Sequence, residues 1–227
     1  YDATVLLGVT TTTADAEGEV LARCPVMVSD AEIEAAIVSL RGEIEQIPPM
    51  YSALKHHGKA LYEYARAGVE IAREPRRVTI HRFEMLERDG DSLKVTVECS
   101  KGTYVRTLAS DLGALLGCGA HLTALRRTRI GPFSLDRAIS LTDLEALPVE
   151  GRDGCLAPVD ALLAHLPRQI LDENQARNLT HGQPARGCSG ESGEIFRVYE
   201  GERFLGVATL DGDGLLVATR LMATGKQ

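Results

Sequence analysis

The stretch from residue 78 to residue 117 constrains the fold more than any other. Residues 78–87 and 91–99 alternate or run apolar as strands do, and Arg88-Asp89-Gly90 between them is a hairpin signal. A second turn follows at Lys101-Gly102, where glycine supplies the freedom a tight turn needs. Val105, Leu108, Leu112 and Leu115 then recur at helical spacing until Gly117. A hairpin that runs into a helix with one apolar stripe predicts an α+β fold. The sheet is expected to be mixed, largely antiparallel and flanked by helices.

The rest of the chain fits that frame. Residues 3–9 and 18–23 read as strands around the polar turn Thr10 to Gly18. Ser29-Asp30-Ala31-Glu32 is a capping box, in which the serine and the glutamate close each other's backbone donors. Ile33, Ile37 and Leu40 follow at helical spacing up to Gly42. Residues 44–58, with Pro48-Pro49, read as loop, and a short helix is expected from about Lys59 to Ala67. Further helices are expected at 142–147 and 159–165. The character changes near Pro167. A capped helix from Asp172 to Leu179 is followed by strands at 194–199, 203–210 and 214–221, with turn signals between them. Two domains are therefore expected, 1–166 and 167–227, the second a small β-barrel module.

Hydrophobic residues make up 44 % and charged residues 25 %, the balance of a soluble globular protein. No apolar run approaches the ~18 residues needed to span a bilayer, and no signal peptide is apparent. The opening Tyr1-Asp2-Ala3-Thr4-Val5-Leu6-Leu7 reads as the middle of a strand. The five cysteines, Cys24, Cys99, Cys118, Cys155 and Cys188, have no C-x-x-C spacing and fit free thiols in a reducing cytoplasm. The histidines form no metal-binding pattern. Net charge is −7, which argues against a nucleic-acid partner, but its distribution argues the other way. Residues 48–82 hold seven Lys/Arg against three Glu, and residues 101–137 hold six against two Asp. One basic face on an acidic body is the pattern of a phosphate-binding protein, and it also arises on an ordinary solvated surface.

Three stretches carry candidate chemistry. Cys99-Ser100-Lys101-Gly102-Thr103-Tyr104-Val105-Arg106-Thr107 is a strand-to-helix junction, where free backbone N–H groups and side chains meet at a sheet edge. Tyr104 offers a flat ring and a hydroxyl there, and Arg106 a planar fork for a carboxylate or phosphate. The same pair also suits a tyrosine packed on its sheet and an arginine covering a helix end. Ile47-Pro48-Pro49-Met50-Tyr51-Ser52-Ala53-Leu54-Lys55, then Tyr62 and Arg66, suits a protruding segment that grips folded RNA, or an ordered surface loop. Gly117-Cys118-Gly119-Ala120-His121-Leu122-Thr123-Ala124-Leu125-Arg126-Arg127 ends in paired arginines that also read as surface charge, with Leu125 as core.

In this order the stretches resemble the TruB family of pseudouridine synthases. The likeness runs through Leu7-Gly8, Thr11-x-Thr13-x-Asp15-x-x-Gly18, Gln46-x-Pro48-Pro49-x-Tyr51-Ser52-Ala53-x-Lys55, Lys101-Gly102-Thr103-Tyr104-x-Arg106 and Gly117-x-Gly119-Ala120-x-Leu122-x-x-Leu125-Arg126-Arg127. It is close over about residues 1–140 and looser beyond, where the tail resembles a PUA-type RNA-binding module. The resemblance implies a catalytic domain with an RNA-gripping insertion at about 48–77. It implies a cytoplasmic, monomeric enzyme without metal or cofactor that flips out the T-loop uridine of tRNA (position 55) and isomerises it to pseudouridine. Tyr104 would lie against the flipped base and help remove the C5 proton. Arg106 would pair with the catalytic carboxylate and keep it ionised. Tyr1 and Leu125 would line the uracil pocket. Lys55, Arg66, Lys101, Arg126 and Arg127 would meet RNA, Arg127 either supporting the site or touching phosphate.

One departure stands out. The family's Gly-x-Leu-Asp-Pro motif, which carries the aspartate, and its Lys-Pro-x-Gly motif would precede Tyr1, and neither occurs in these residues. Asp15 and Asp111 lie in matched regions but outside that motif. A tRNA-binding or tRNA-folding module without chemistry is the alternative reading. An enzyme for a small acidic ligand and a guide-RNA-dependent relative are more distant ones. The 227 residues alone are expected to form no pseudouridine, which incubation with a T-loop RNA and base analysis would check.

Overall fold

In a computed structural model, residues 1–222 are described; the last five residues of the expected 167–227 module lie outside them. The chain divides into two compact units, Tyr1–Arg129 and Ile130–Gln227.

The first unit is built on a five-stranded antiparallel sheet. Its elements are β1 (Asp2–Leu7), β2 (Val9–Thr11), β3 (Val20–Arg23), α1 (Asp30–Ser39), β4 (Gly42–Gln46), β5 (Lys55–His56), β6 (Lys59–Ala60), α2 (Leu61–Arg66), β7 (Arg76–Asp89), β8 (Ser92–Cys99), α3 (Val105–Leu115) and β9 (Ala120–Arg126). The main sheet runs β4-β7-β8-β1-β9. β1 lies between β8 and β9, with Ala3 opposite both Val95 and Leu125. Along β1, Ala3, Val5 and Leu7 are buried, as period-two alternation over one covered face requires. They join Leu93, Val95 and Val97 of β8, with Ile33, Ile37, Leu108 and Leu112 from the helices, in one apolar core.

Local chemistry sets the element ends. The Ser29 hydroxyl accepts from the Glu32 N–H at 3.3 Å, and the Glu32 carboxylate accepts from the Ser29 N–H at 2.8 Å, so the expected capping box forms. The 76–99 hairpin and helix α3 also form, with Gly90 and Gly102 in the left-handed region their turns demand. The structure corrects the reading of residues 44–58 as loop. Gly42–Gln46 is an edge strand on β7, hidden in the sequence because Glu43 and Glu45 leave only Ile44 and Gln46 with inward burial. Ala120–Arg126 is likewise a strand, and Lys59–Ala60 belongs to a small hairpin before α2.

The second unit opens with β10 (Arg129–Ile130) and β11 (Phe133–Ser134), followed by α4 (Leu141–Ala146) and α5 (Val149–Arg152). The helix expected at 159–165 is only a 3₁₀ turn at Ala161–Leu163. Then come β12 (Arg168–Leu171), α6 (Glu173–Thr180), β13 (Ile195–Glu200), β14 (Arg203–Leu210) and β15 (Leu216–Leu221). β12 is an additional strand, parallel to β13, and the sheet runs β12-β13-β14-β15. Of the expected barrel, the described residues show this four-stranded sheet and a bridge from Ala185 to Leu216. No helix among the described residues is long and apolar enough to cross a membrane.

Gly113 shows how closely helix and sheet approach in the first unit. A Cβ at this position would stand 2.1 Å from the Ala120 nitrogen and 2.3 Å from the Gly119 carbonyl carbon. Gly113→Ala is therefore expected to cost about 1–3 kcal/mol by overpacking, read as a lower urea midpoint with an unchanged slope.

Candidate active site

The start of α3 gathers most of the polar chemistry. Tyr104 occupies the N-cap position but makes no side-chain cap. Gln46 on β4, 2 % exposed, fixes the backbone of this residue: it accepts from the Tyr104 N–H at 3.1 Å and donates to the Tyr104 carbonyl at 3.4 Å. Tyrosine is a poor N-cap, and Gln46 does not replace one: it bonds the N–H and carbonyl of residue 104 itself, whereas an N-cap Ser or Asp would accept from an N–H two or three residues on.

Two residues on, Arg106 is held on several sides. Its Nη1 donates to Asp15 Oδ2 at 2.8 Å and to the Thr13 carbonyl at 3.4 Å, and its Nη2 donates to the Tyr51 carbonyl at 2.7 Å. The Arg106 and Asp15 side chains are each 25 % exposed, so the pair is largely withdrawn from water. Asp15 is itself held by the Thr13 hydroxyl at 2.5 Å and the Glu17 N–H at 3.1 Å. Burial pushes the Asp15 carboxyl up, but the Thr13 and Arg106 hydrogen bonds, the Glu17 N–H and the Arg106 charge outweigh it, leaving the net shift downward. Asp111, on α3, is pushed up by burial.

The other expected residues sit on neighbouring elements of the same unit. Tyr1 immediately precedes β1, and Leu125, Arg126 and the residue that follows them, Arg127, lie at the end of β9 beside it. Arg127 Nε donates to the Tyr1 hydroxyl at 3.0 Å. Leu125 is half exposed rather than core. Lys101 is exposed in the turn before α3. In the insertion, Lys55 opens the small β5-β6 hairpin, and Arg66 ends α2 with its guanidinium 5.2 Å from the Tyr62 ring. Arg73 closes the base of the insertion by donating to the Pro48 carbonyl at 3.2 Å. Among the described residues no group of His, Cys, Asp and Glu side chains is placed to hold a metal ion.

Sequence reasoning missed two residues of this site. Asp15 stood in a matched motif without a role, and Gln46 likewise. Their partners are 91 and 58 residues away, a distance at which no local pattern signals contact.

A reading of these features as an RNA-modifying enzyme agrees with the comparisons. Residues 1–105 match the family model for the TruB family pseudouridylate synthase N-terminal domain, 106–164 that for the tRNA pseudouridylate synthase B C-terminal domain, and 167–222 that for the C-terminal region of pseudouridine synthase II TruB. A tRNA pseudouridine synthase B of Aromatoleum aromaticum is 58 % identical over 224 residues, covering 99 % of this chain and 72 % of that protein. One of Chromobacterium violaceum is 51 % identical over 232 residues, covering 100 % and 75 %. The solved Cbf5-Nop10-Gar1 complex is similar in fold, with a TM-score of 0.66 at 22 % identity over 97 % of this chain and 64 % of that one. The chain belongs to the TruB family of pseudouridine synthases, enzymes that isomerise uridine to pseudouridine in RNA.

The ion pair gives a pH-dependent test. Because the folded Asp15 pKa is depressed, its contribution to stability is full above the ordinary value of 3.8 and is lost as pH falls through the folded value. Asp15→Asn is expected to cost about 1.5–3 kcal/mol at neutral pH. Urea titrations should show that difference constant from pH 7 down to about pH 5 and shrinking below pH ~4.

Proposed function

We propose that the full-length protein acts on the T stem-loop of tRNA, flipping out the uridine at position 55 and isomerising it, and that these 227 residues alone, without the aspartate motif, do not. The observation that carries the reading is the position of Arg106. From the start of α3 it joins the base of the insertion, through the Tyr51 carbonyl, to the Asp15 turn between β2 and β3. A segment suited to grip RNA and a site suited to chemistry thus share one residue.

The reaction breaks the N1–C1′ bond, turns the uracil, forms a C5–C1′ bond and moves the C5 proton. Tyr104 lies against the everted base and assists that proton transfer, with Tyr1 and Leu125 lining the uracil pocket. Arg106 carries five N–H donors. Three of them serve Asp15, Thr13 and Tyr51, which leaves Nε–H and one Nη2–H for a second carboxylate. In the family scheme that carboxylate is the reacting aspartate, which the paired charge keeps ionised. Lys55, Arg66, Lys101 and Arg126 contact the RNA backbone, and 167–227 acts as a second, PUA-like RNA-binding module beside a catalytic domain ending near 166. The protein works as a monomer without cofactor. A tRNA substrate places it in the cytoplasm, in keeping with five free cysteines.

The test uses the full-length protein and unmodified tRNA. Arg106→Lys keeps a charge but loses the planar fork, and is expected to lower turnover roughly 100-fold or more while leaving tRNA affinity within a few-fold. Lys55→Ala should instead weaken tRNA binding and reduce the slope of log affinity against log salt by about one. Unchanged turnover of Arg106→Lys, or tRNA bound by the wild type without any pseudouridine formed, would overturn the reading.

A further inference from the structure

The pairing of Arg127 with Tyr1 is a separate feature of this edge of the sheet. Antiparallel register sets Asp2 opposite Arg126, which brings Tyr1 beside the residue that follows β9. Arg127 Nε donates to the Tyr1 hydroxyl at 3.0 Å, and the guanidinium carbon lies 5.3 Å from the ring centroid. One charged group therefore meets both the far tip of the ring and its face. On the other side, the Val97 N–H donates to the Tyr1 carbonyl at 2.8 Å, pinning the backbone. With the backbone fixed, the ring retains two torsions; the bond at its tip restrains χ1, and the guanidinium against the ring restrains χ2, whose axis passes through the hydroxyl oxygen.

We propose that Arg127 is a positioning residue that orients the Tyr1 ring, rather than a phosphate contact. This rests on the reading that Tyr1 lines the uracil pocket. A ring that must present one face to an everted base gains from being set before the base arrives, because ordering it later slows the step. Arg127 sets it in the free protein. Arg127 is exposed, so what favours positioning over phosphate contact is this directed bond to Tyr1 and not burial.

The experiment compares wild type, Arg127→Ala, Arg127→Lys, Tyr1→Phe and the Arg127→Ala/Tyr1→Phe double variant of the full-length protein. Single-turnover rate at saturating tRNA, tRNA affinity against salt, and ¹³C relaxation of the Tyr1 ring are measured. Arg127→Ala is expected to slow the step about tenfold with affinity and salt slope unchanged, and Arg127→Lys not to restore it. In the Tyr1→Phe background the further loss should be at most about threefold, because the two changes remove one interaction. Ring order in the free protein should fall in Arg127→Ala. The proposal is overturned if affinity drops and the salt slope shrinks by about one while saturated turnover survives, or if the two losses multiply. Ring order that does not change also overturns it, and decides the matter even if the wild type proves inactive on T-loop uridine, an outcome that would instead sink the functional reading.

Discussion

Arg106 cannot shed its charge, so a fold that takes it out of water must surround it with acceptors. Desolvating such an ion costs several kcal/mol, and one carboxylate alone rarely offsets that. Here the acceptors come from two different segments. Asp15 and the Thr13 carbonyl lie in the turn between β2 and β3, and the Tyr51 carbonyl lies at the foot of the insertion. One guanidinium thereby sets three pieces of chain relative to each other: helix α3, the acidic turn and the insertion. The acidic turn is built against local preference. Ala14, beside Asp15, has φ 57°, a conformation costly for a residue with a Cβ. It is held by the Leu122 N–H donating to the Ala14 carbonyl at 3.0 Å and by a bridge from Asp15 to Leu122. The ion pair and strand β9 together keep the strained turn in place.

What was legible in the sequence was what depends on near neighbours. The Ser29–Glu32 box, the hairpin and the apolar stripe of α3 are each decided within a few residues. The box forms as read, the hairpin forms with Arg88 and Asp89 paired in the strand and its turn at Gly90-Asp91, and the stripe buries Val105, Leu108 and Leu112 but leaves Leu115 exposed. The junction at Tyr104 and Arg106 was legible because a glycine turn between a strand and a helix announces itself. Strand β4 was not, since an edge strand with Glu43 and Glu45 facing solvent carries no clean alternation. Strand β9 was hidden differently. Its first three residues, Ala120, His121 and Leu122, are all buried and its last four exposed, a pattern with no period of two. His121 is tolerated inside because its Nδ1 meets the Val9 carbonyl at 2.9 Å, a partner set by tertiary structure alone.

The second unit shows why composition and packing draw domain edges in different places. The sequence changes character at Pro167, and two family models meet between residues 164 and 167. The compact unit nonetheless begins at Ile130. The buried Asp160 carboxylate accepts from Arg197 Nη1 at 2.8 Å and from the Tyr199 hydroxyl, while Arg168 lies over the Tyr199 ring at 4.2 Å. Those hydrogen bonds, Tyr199 foremost, hold the Asp160 carboxyl below its ordinary range, and burial pushes the tyrosine up. A buried carboxylate with two partners on β13 ties the 130–166 segment to the C-terminal sheet, because releasing it would leave Arg197 unpaired in a poorly solvated place. A change of pattern marks a shift in sequence character; a buried charge marks what has to move together.

The same division of labour explains the odd choice at the head of α3. Were helix stability the only demand, position 104 would carry Ser, Thr or Asp, whose side chain would cap the first free N–H groups. Tyrosine there gives up that capping. Gln46, at the end of β4, instead fixes the backbone of residue 104, accepting from its N–H and donating to its carbonyl. Because both bonds are to backbone, the side chain at 104 is released from any structural duty to the helix. The backbone at this junction is thus fixed by a buried glutamine on another strand, and the half-buried ring at 104 carries no capping role.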